Sequence, residues 1–207
     1  MTRITVSIGL ILLFSSVAHA RVLEGYGVKA GVVIAEQDFD YAEDFDFDTK
    51  NRAGLDVGVY LEWLDIRFFS LLTEAHYIQK GMVNQNPRTD EFGQPMSPVE
   101  HSNRVDYLSI PILAKVTFRT ARVRPYFVLG PRIDFLLGYE SRILKDIYEG
   151  FEDTNVGGTI GIGVERKTKL LNMLLELRYS PDFTDAFKND AVKVKNNSFE
   201  ILIGLEL

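Results

Sequence analysis

Apolar and polar residues alternate along most of this chain, and the alternation restricts the fold more than any other feature of the sequence. In Asn197–Leu207, every second residue from Phe199 onward is apolar, while Glu200 and Glu206 occupy alternate positions. Successive side chains of a β-strand point to opposite faces, so such a segment places one face in apolar and the other in polar surroundings. The sequence therefore predicts β-strands with two chemically distinct faces.

Eight segments of about 9–14 residues follow this pattern, close to the length that a tilted strand needs to cross a bilayer. Pro111 and Gly130-Pro131 fall inside such segments and predict local irregularities in the strand ladder. We therefore predict an all-β protein, an eight-stranded antiparallel transmembrane β-barrel with an up-and-down meander. The predicted strands are Tyr26–Glu36, Arg52–Glu62, Phe68–Lys80, Val105–Phe118, Val123–Leu137, Val156–Arg166, Leu171–Ser180 and Asn197–Leu207.

Charged residues of both signs share the polar faces of these strands. Near the middle of a bilayer, a basic side chain that faces lipid costs about 2–4 kcal/mol, whereas opposite charges inside a barrel can pair. We expect the polar faces to point inward and form paired networks, and the aliphatic faces to contact hydrocarbon. The predicted interior charges are Lys29, Asp56, Glu62, Glu74, Lys115, Arg132, Asp134, Glu165, Glu176, Arg178 and Glu200.

A soluble lipocalin-like barrel is the structural alternative, since it also has eight alternating strands but encloses the apolar faces around a ligand. Aromatic residues near the strand ends favour the membrane barrel, because they resemble the interfacial girdles of outer-membrane proteins. These residues are Tyr26, Tyr77, Phe118, Tyr126, Tyr179 and Phe199.

The connections between the predicted strands alternate between short and long. Short links lie near Trp63–Asp65, Arg119–Arg122 and Arg166–Lys169. Long connections cover Gln37–Asn51, Gly81–Arg104, Gly138–Thr154 and Pro181–Asn196, the longest being Gly81–Arg104. Short periplasmic turns and longer outer loops are typical of outer-membrane barrels, so we expect the long loops to face outward and both termini to be periplasmic.

The first twenty residues predict export. Arg3 precedes an apolar stretch from Ile4 to Phe14, and Ala18-His19-Ala20 provides a small-x-small cleavage site. The competing interpretation is a membrane-anchoring helix, but the apolar run is about half of the ~20 residues that such a helix needs. We therefore expect a cleaved signal peptide at residues 1–20 and one outer-membrane barrel domain at residues 21–207.

Composition excludes several kinds of site. The chain has no cysteine, so a disulfide framework, a thiolate metal site and a lipid-anchored cysteine are all excluded. The formal net charge of −6 argues against a nucleic-acid surface. Gly157–Gly163 lacks the G-x-G-x-x-G spacing of a phosphate-binding loop, and its glycines suit the inner face of a narrow barrel.

Five stretches of the chain carry a family resemblance: Gly27–Gly31, Leu72–Gly81, Val105–Val116, Arg124–Leu137 and Leu175–Thr184. In this order they resemble the PorT-like family of outer-membrane β-barrels, which is related in architecture to the small OmpA and OmpX barrels. The chain departs from the family pattern at Thr73, Ser109 and Leu207. The resemblance implies a fold and a location more than an activity, since some relatives take part in secretion across the outer membrane and most have no assigned role.

Two groups of residues are candidates for chemistry. Asp44, Asp46 and Asp48 mimic the start of an EF-hand loop, but Thr49 and Leu55 stand where that loop needs Gly and Glu. A solvated loop or strand extension is the better account, which leaves these carboxylates as weak candidates for a divalent cation. His76 and Glu74 share a strand face as a base and its orienting carboxylate, and a hydrogen-bonded interior histidine explains the pair equally well.

These observations favour a non-enzymatic outer-membrane protein that acts through outward loops or periplasmic turns in envelope integrity, adhesion or protein secretion. We expect no catalytic residue and no cofactor. The expected partners are outer-membrane lipid and lipopolysaccharide, the barrel-assembly machinery during insertion, and envelope or secretion proteins; nucleic acid is not expected, and the protein is predicted to be a monomer. The alternatives are a narrow channel or transporter, although eight strands leave little room in the lumen, and a membrane-embedded lipid hydrolase.

Overall fold

The computed structural model describes residues 23–41, 49–66, 68–118, 123–141, 150–166, 168, 172–188 and 192–207. The predicted signal peptide at residues 1–20 and the carboxylates Asp44, Asp46 and Asp48 lie outside these residues. Within the described residues, no helix is long and apolar enough to cross a membrane.

Nine antiparallel β-strands make up the described part of the chain, and every predicted strand is among them. Several are longer than predicted, because the backbone ladder continues beyond the alternating segment. The strands are β1 (Leu23–Tyr41), β2 (Thr49–Ile66), β3 (Phe69–Thr89), β4 (Pro95–Thr117), β5 (Val123–Glu140), β6 (Thr154–Arg166), β7 (Asn172–Pro181), β8 (Phe187–Lys188) and β9 (Val192–Glu206).

Eight of these strands form a closed ring. Each long strand pairs with the next long strand along the chain, and β9 pairs back to β1 with Gly27 opposite Glu206 and Tyr41 opposite Val192. The two-residue β8 pairs with β9 beside the ring. The prediction of an eight-stranded, up-and-down antiparallel barrel is confirmed, with β8 as an addition inside the predicted loop Pro181–Asn196.

The outer face of the ring carries an apolar band. The outward residues run from Tyr26 to Ile34 on β1 and from Phe199 to Leu207 on β9, and their large side chains are about half exposed. A run of this length extends about 27 Å along a strand. At a strand tilt of about 40° it spans ~21 Å, close to the apolar band of outer-membrane barrels. The aliphatic faces therefore point outward, the reverse of a lipocalin.

The segment Gly81–Arg104 is not a long loop, and this prediction was wrong. β3 continues to Thr89 and β4 begins at Pro95, so residues 90–94 alone connect them. The two strands stay paired through this ribbon, with one register shift. Pro87, Pro95 and Pro98 lie within these strands, since a strand tolerates proline at edge positions and at irregularities.

The irregularities predicted at Pro111 and Gly130-Pro131 are also absent from the described pairings. Pro111 pairs with Arg132 in the register that pairs Ala114 with Leu129. The register between β5 and β6 is unbroken at Gly130-Pro131. The alternation seemed to change phase there because β5 carries apolar side chains on its inner face at Tyr126 and Val128.

Tyr126 is therefore not part of an outer aromatic girdle. Its side chain is buried and its hydroxyl group donates a hydrogen bond to Glu176 in the lumen. The outer girdle residues do include Tyr179 and Phe199, whose ring centroids lie 4.7 Å apart at the loop end of the apolar band.

Candidate functional site

Charged side chains fill the middle of the barrel lumen. Six of them, which we call the central ionic layer, come from alternate positions of β1, β2, β3 and β7 and are almost fully buried. Lys29 Nζ lies 2.7 Å from Glu74 Oε1 and 3.0 Å from Glu176 Oε2. The central ionic layer consists of Lys29, Asp56, Glu74, His76, Glu176 and Arg178.

Glu74 is the most connected member of the central ionic layer. Arg178 contacts Glu74 through both terminal nitrogens: Nη1 lies 2.7 Å from Glu74 Oε2 and Nη2 lies 2.9 Å from Glu74 Oε1. Arg178 Nε also donates to Glu176. Such two-pronged contacts between a guanidinium and a carboxylate are strong, and loss of one partner leaves the other buried without compensation.

His76 is held between two carboxylates. Its Nδ1 lies 2.5 Å from Asp56 Oδ1 and its Nε2 lies 3.1 Å from Glu74 Oε2. A catalytic histidine needs one ring nitrogen within reach of a nucleophile. Both nitrogens of His76 are occupied and its ring is buried, so this geometry favours a structural histidine.

A second group, the upper ionic cluster, lies on the loop side of the central ionic layer and consists of Lys80, Arg132, Asp134 and Asp182. Lys80 Nζ lies 2.7 Å from Asp134 Oδ2 and 3.6 Å from Asp182 Oδ1. Arg132 Nε lies 3.1 Å from Asp134 Oδ1, and Arg132 Nη2 donates to Asp182. Since Asp182 follows the end of β7, these contacts tie the connection between β7 and β9 into the lumen.

A third group lies near the short turns and is called the turn-end cluster. Lys115 Nζ lies 3.0 Å from Glu62 Oε2 and 2.9 Å from Glu165 Oε2. Glu200 belongs to none of the three groups; it is buried and accepts a hydrogen bond from Ser198 Oγ at 3.0 Å. The structure thus places all eleven predicted interior charges toward the lumen and joins ten of them in three groups.

Two charged members of these groups were missed by the sequence analysis. Lys80 lies an even number of residues after Glu74 and His76 on β3, so its side chain is on the same face of the strand. The alternation alone was therefore sufficient to predict that Lys80 points inward. Asp182 lies in the connection after β7, where no periodicity applies. Its role in the lumen depends on how that connection folds back.

Three lysines of the lumen also rest against tyrosine rings. Lys29 Nζ lies 5.1 Å from the ring centroid of Tyr60, and Lys115 Nζ lies 4.8 Å from the ring centroid of Tyr126. The third contact joins Lys80 to Tyr107 at 5.5 Å. Cation–π contacts of this kind add to the fixation of a buried ammonium group.

Apolar side chains enclose the central ionic layer from both ends. The order Leu72, Glu74, His76, Ile78 along the inner face of β3 shows this stacking. The turn-side apolar layer consists of Tyr60, Leu72, Leu113, Tyr126, Val128 and Leu174. The loop-side apolar layer consists of Val33, Ala35, Ile78, Val105, Tyr107, Phe151, Ala186 and Val194.

Two connections close the loop end of the lumen. Phe151 precedes β6 and Ala186 precedes β8, and both are buried in the loop-side apolar layer. The backbone N–H of Glu152 donates to the Ala186 carbonyl at 2.8 Å, and the Phe151 and Phe187 rings stack with centroids 6.3 Å apart. The lumen is therefore filled by layers of charged and apolar side chains, as expected for a small barrel.

The ribbon of β3 and β4 extends past its neighbour on the β5 side, and we call residues 85–99 the projecting hairpin. β5 ends at Glu140, opposite Arg104, whereas β4 begins at Pro95. The distance from Arg104 to Pro95 along an extended strand is about 30 Å. The projecting hairpin thus reaches well beyond the apolar band.

The tip of the projecting hairpin has a defined turn. Asp90 Oδ1 accepts hydrogen bonds from the backbone N–H groups of Phe92 and Gln94, at 2.9 and 2.8 Å. The Asp90 N–H donates to the Gln94 carbonyl at 2.9 Å. Phe92 is 87% exposed, so this turn holds an aromatic side chain out into solvent. A contact residue held in advance in one conformation loses little entropy when a partner binds.

Asp44, Asp46 and Asp48 lie outside the described residues. Among the residues that are described, no group of three or more His, Cys, Asp or Glu side chains is placed to hold a metal ion.

Comparison with known proteins identifies one family. The sequence model of a family described as outer membrane protein beta-barrel domain matches residues 24–188 of this chain. No curated protein matches the sequence significantly.

Several solved structures are similar in fold. OprG from Pseudomonas aeruginosa has 11% sequence identity and a TM-score of 0.51, and the similarity covers 90% of this chain and 97% of OprG. Neisserial surface protein A has 16% identity and a TM-score of 0.46, with 89% and 99% covered. Outer Membrane Protein W of E. coli has 13% identity and a TM-score of 0.44, with 90% and 100% covered.

Proposed function

Because this chain belongs to the outer membrane protein beta-barrel domain family and is an integral protein of the bacterial outer membrane, we propose that it is a non-enzymatic, closed barrel that acts through its projecting hairpin and other outward connections. The process it serves is envelope integrity, adhesion or protein secretion. One observation supports this most: the lumen is filled, so the elements left to meet a partner are those that extend beyond the membrane.

A narrow channel or transporter is the alternative that the lumen disfavours. Ions would have to pass two apolar layers as well as ion pairs that already satisfy most of the interior charges. Steady single-channel openings from the pure, refolded protein in planar bilayers would contradict a closed barrel.

A membrane-embedded lipid hydrolase is also disfavoured. His76 has both ring nitrogens engaged by carboxylates, and its neighbours Glu74 and Asp56 are themselves buried. Ser109 lies opposite His76 on β4 and is also buried. Neither ring nitrogen of His76 is left to activate the Ser109 hydroxyl group, because both contact carboxylates. The interior charges therefore serve to hold strand register.

We further propose that the long connections face outward and both termini lie in the periplasm. The short turns lie on one side of the ring, together with the first residues of β1 and β3 and the last residues of β2 and β9. Short turns are periplasmic in proteins of this architecture. The ring closes through its own β1–β9 pairing, which leaves the barrel itself no open edge and supports a monomer inserted by the barrel-assembly machinery. The PorT-like assignment remains a prediction from the five sequence stretches.

Shortening the projecting hairpin tests the proposed function. Residues 86–99 are replaced by Asn-Gly, which forms the tight turn that suits a two-residue hairpin. We expect the shortened protein to insert normally but to fail to restore the phenotype of a deletion strain, measured as detergent sensitivity, surface adhesion and secreted protein. Full restoration of every phenotype by the shortened protein would contradict the proposal.

The orientation on which this experiment depends has its own control. The chain has no cysteine, so a single Phe92→Cys or Thr168→Cys substitution provides a unique label site. A membrane-impermeant maleimide is expected to label position 92 in intact cells and position 168 only after the outer membrane is opened. The opposite pattern would reverse the orientation.

A further inference from the structure

A polar cleft lies where β4 runs past the end of β5. It has a volume of about 330 Å³ and is lined by residues of β2, β4 and the end of β5. Arg52 reaches from β2 across β3 to β4, where its Nε donates to Ser102 Oγ at 3.2 Å. The polar cleft is lined by Arg52, Glu100, His101, Ser102, Arg104, Glu140 and Ser141.

We propose that the polar cleft binds a phosphate group carried by a sugar of the outer-leaflet glycolipid. This inference rests on the proposed outward orientation and names one partner of the outward end. It does not depend on which cellular process the projecting hairpin serves.

The donors of the polar cleft suit a phosphate monoester. Arg52 and Arg104 provide two guanidinium groups, which pair with phosphate oxygens through two parallel N–H bonds. Ser102, Ser141 and His101 also line this space. Ser102 Oγ accepts the hydrogen bond from Arg52, and Ser141 Oγ donates to Asn103 Oδ1 at 2.7 Å. A sugar phosphate offers acceptors for the guanidinium groups and hydroxyl groups for the serines.

Glu100 is paired with Lys50 and not with either arginine of the polar cleft, whereas Asp106 and Glu140 both contact Arg104. Glu100 accepts hydrogen bonds from Lys50 at 3.0 Å and Gln85 at 2.9 Å, and these contacts lower the pKa of Glu100. Asp106 lies 3.2 Å from Arg104 Nε, and Glu140 lies 3.3 Å from Arg104 Nη2. Glu140 is the most exposed of the three, and an exposed ion pair is weak, so a phosphate can displace it from Arg104.

The position of the polar cleft matches the sugar region of the membrane. Leu108, opposite the partly exposed Phe135, ends the continuous run of apolar residues on the outer face of β4. Arg104 lies four residues farther along, which is about 13 Å along the strand and ~10 Å along the membrane normal at a tilt of about 40°. On the neighbouring β5, exposed apolar residues continue to Leu137 and Tyr139, and Tyr139 lies opposite Val105. The polar cleft therefore begins where the apolar band ends, which is the level expected for head groups.

Calorimetric titration of the refolded protein in detergent micelles tests the proposal. The probes are glucosamine 1-phosphate, glucosamine and inorganic phosphate. We expect glucosamine 1-phosphate to bind and Arg104→Gln to weaken its binding about tenfold or more, because a charge-assisted hydrogen bond is lost. Arg166→Gln removes the same charge from an exposed position at the opposite end of the barrel and is expected to leave binding unchanged.

The outcomes separate the sources of phosphate. Tight binding of the sugar phosphate with weak binding of inorganic phosphate supports a glycolipid, and equal binding of both overturns it in favour of free phosphate. No binding of the sugar phosphate, or equal losses in Arg104→Gln and Arg166→Gln, overturns the site. Since the readout uses pure protein, a failure here leaves the hairpin experiment unaffected, and the reverse also holds.

Discussion

Replacing Arg178 with leucine is expected to destabilise the barrel by about 3–5 kcal/mol, the range found when one partner of a buried ion pair is removed. Arg178 contacts Glu74 through two nitrogens and Glu176 through a third. Without it, Lys29 and His76 are the basic side chains that remain in contact with the two buried carboxylates. The measurement is urea unfolding of the refolded protein in lipid vesicles, followed by the fluorescence of Trp63, the only tryptophan of the chain.

The matched control is Arg166→Leu. Arg166 is exposed at the end of β6, one strand away from Arg178, and the substitution is chemically the same. We expect its free energy of unfolding to stay close to that of the unmodified protein. If Arg178→Leu and Arg166→Leu unfold at the same urea concentration, the central ionic layer does not stabilise the barrel.

Replacing Gly31 with valine is expected to prevent closure of the ring. A Cβ atom at Gly31 would overlap the carbonyl oxygen of Ile201, on the strand that closes the barrel. Overpacking lowers the free energy of unfolding by about 1–3 kcal/mol where side chains can move. Because a backbone carbonyl in a strand ladder cannot move, we expect Gly31→Val to lower the free energy of unfolding by more than that. The measurement is the fraction of protein that migrates as the compact, heat-modifiable form after refolding.

Gly25→Ala is the control on the same strand. The nearest atoms to a Cβ at Gly25 belong to the Glu206 side chain at 3.5 Å, which is ordinary contact. This substitution is expected to leave the yield of compact protein unchanged. Normal folding of Gly31→Val would show that β1 and β9 do not meet as the register requires.

The sequence was sufficient to predict the barrel because apolar and polar residues alternate with a period of two, which leaves few possible orientations for each strand. Once Glu200 must face the lumen, Ile201 must face outward, and the same logic applied to each strand gives the ring and its two faces. Alternation also identified Lys29, Glu74 and Arg178 as inward residues. It did not identify their partners, because pairing across the lumen depends on the stagger of strands that are far apart in sequence.

Residues outside the regular strands were the hardest to place. Asp182 and Phe151 enter the lumen from connections, where no periodicity applies. The projecting hairpin was predicted to be part of a long connection because residues 85–99 lack the regular alternation of apolar and polar residues that identified the other strands. Tyr126 was assigned to the outer girdle because it is an aromatic residue near a strand end. That assignment did not consider that the alternation along β5 points Tyr126 inward, where its hydroxyl group has the polar partner that a buried tyrosine needs.

The most direct measurement of the central claim is a spin-label scan of β9 in lipid vesicles. Single cysteines replace residues 199–206 in turn, and collisions of each label with lipid-dissolved oxygen are recorded. The structure predicts high oxygen accessibility at Phe199, Ile201 and Ile203 and low accessibility at Glu200 and Leu202, with Leu202 decisive because it is apolar yet fully buried. High accessibility at Leu202 together with low accessibility at Ile201 would contradict a barrel whose aliphatic face meets the membrane.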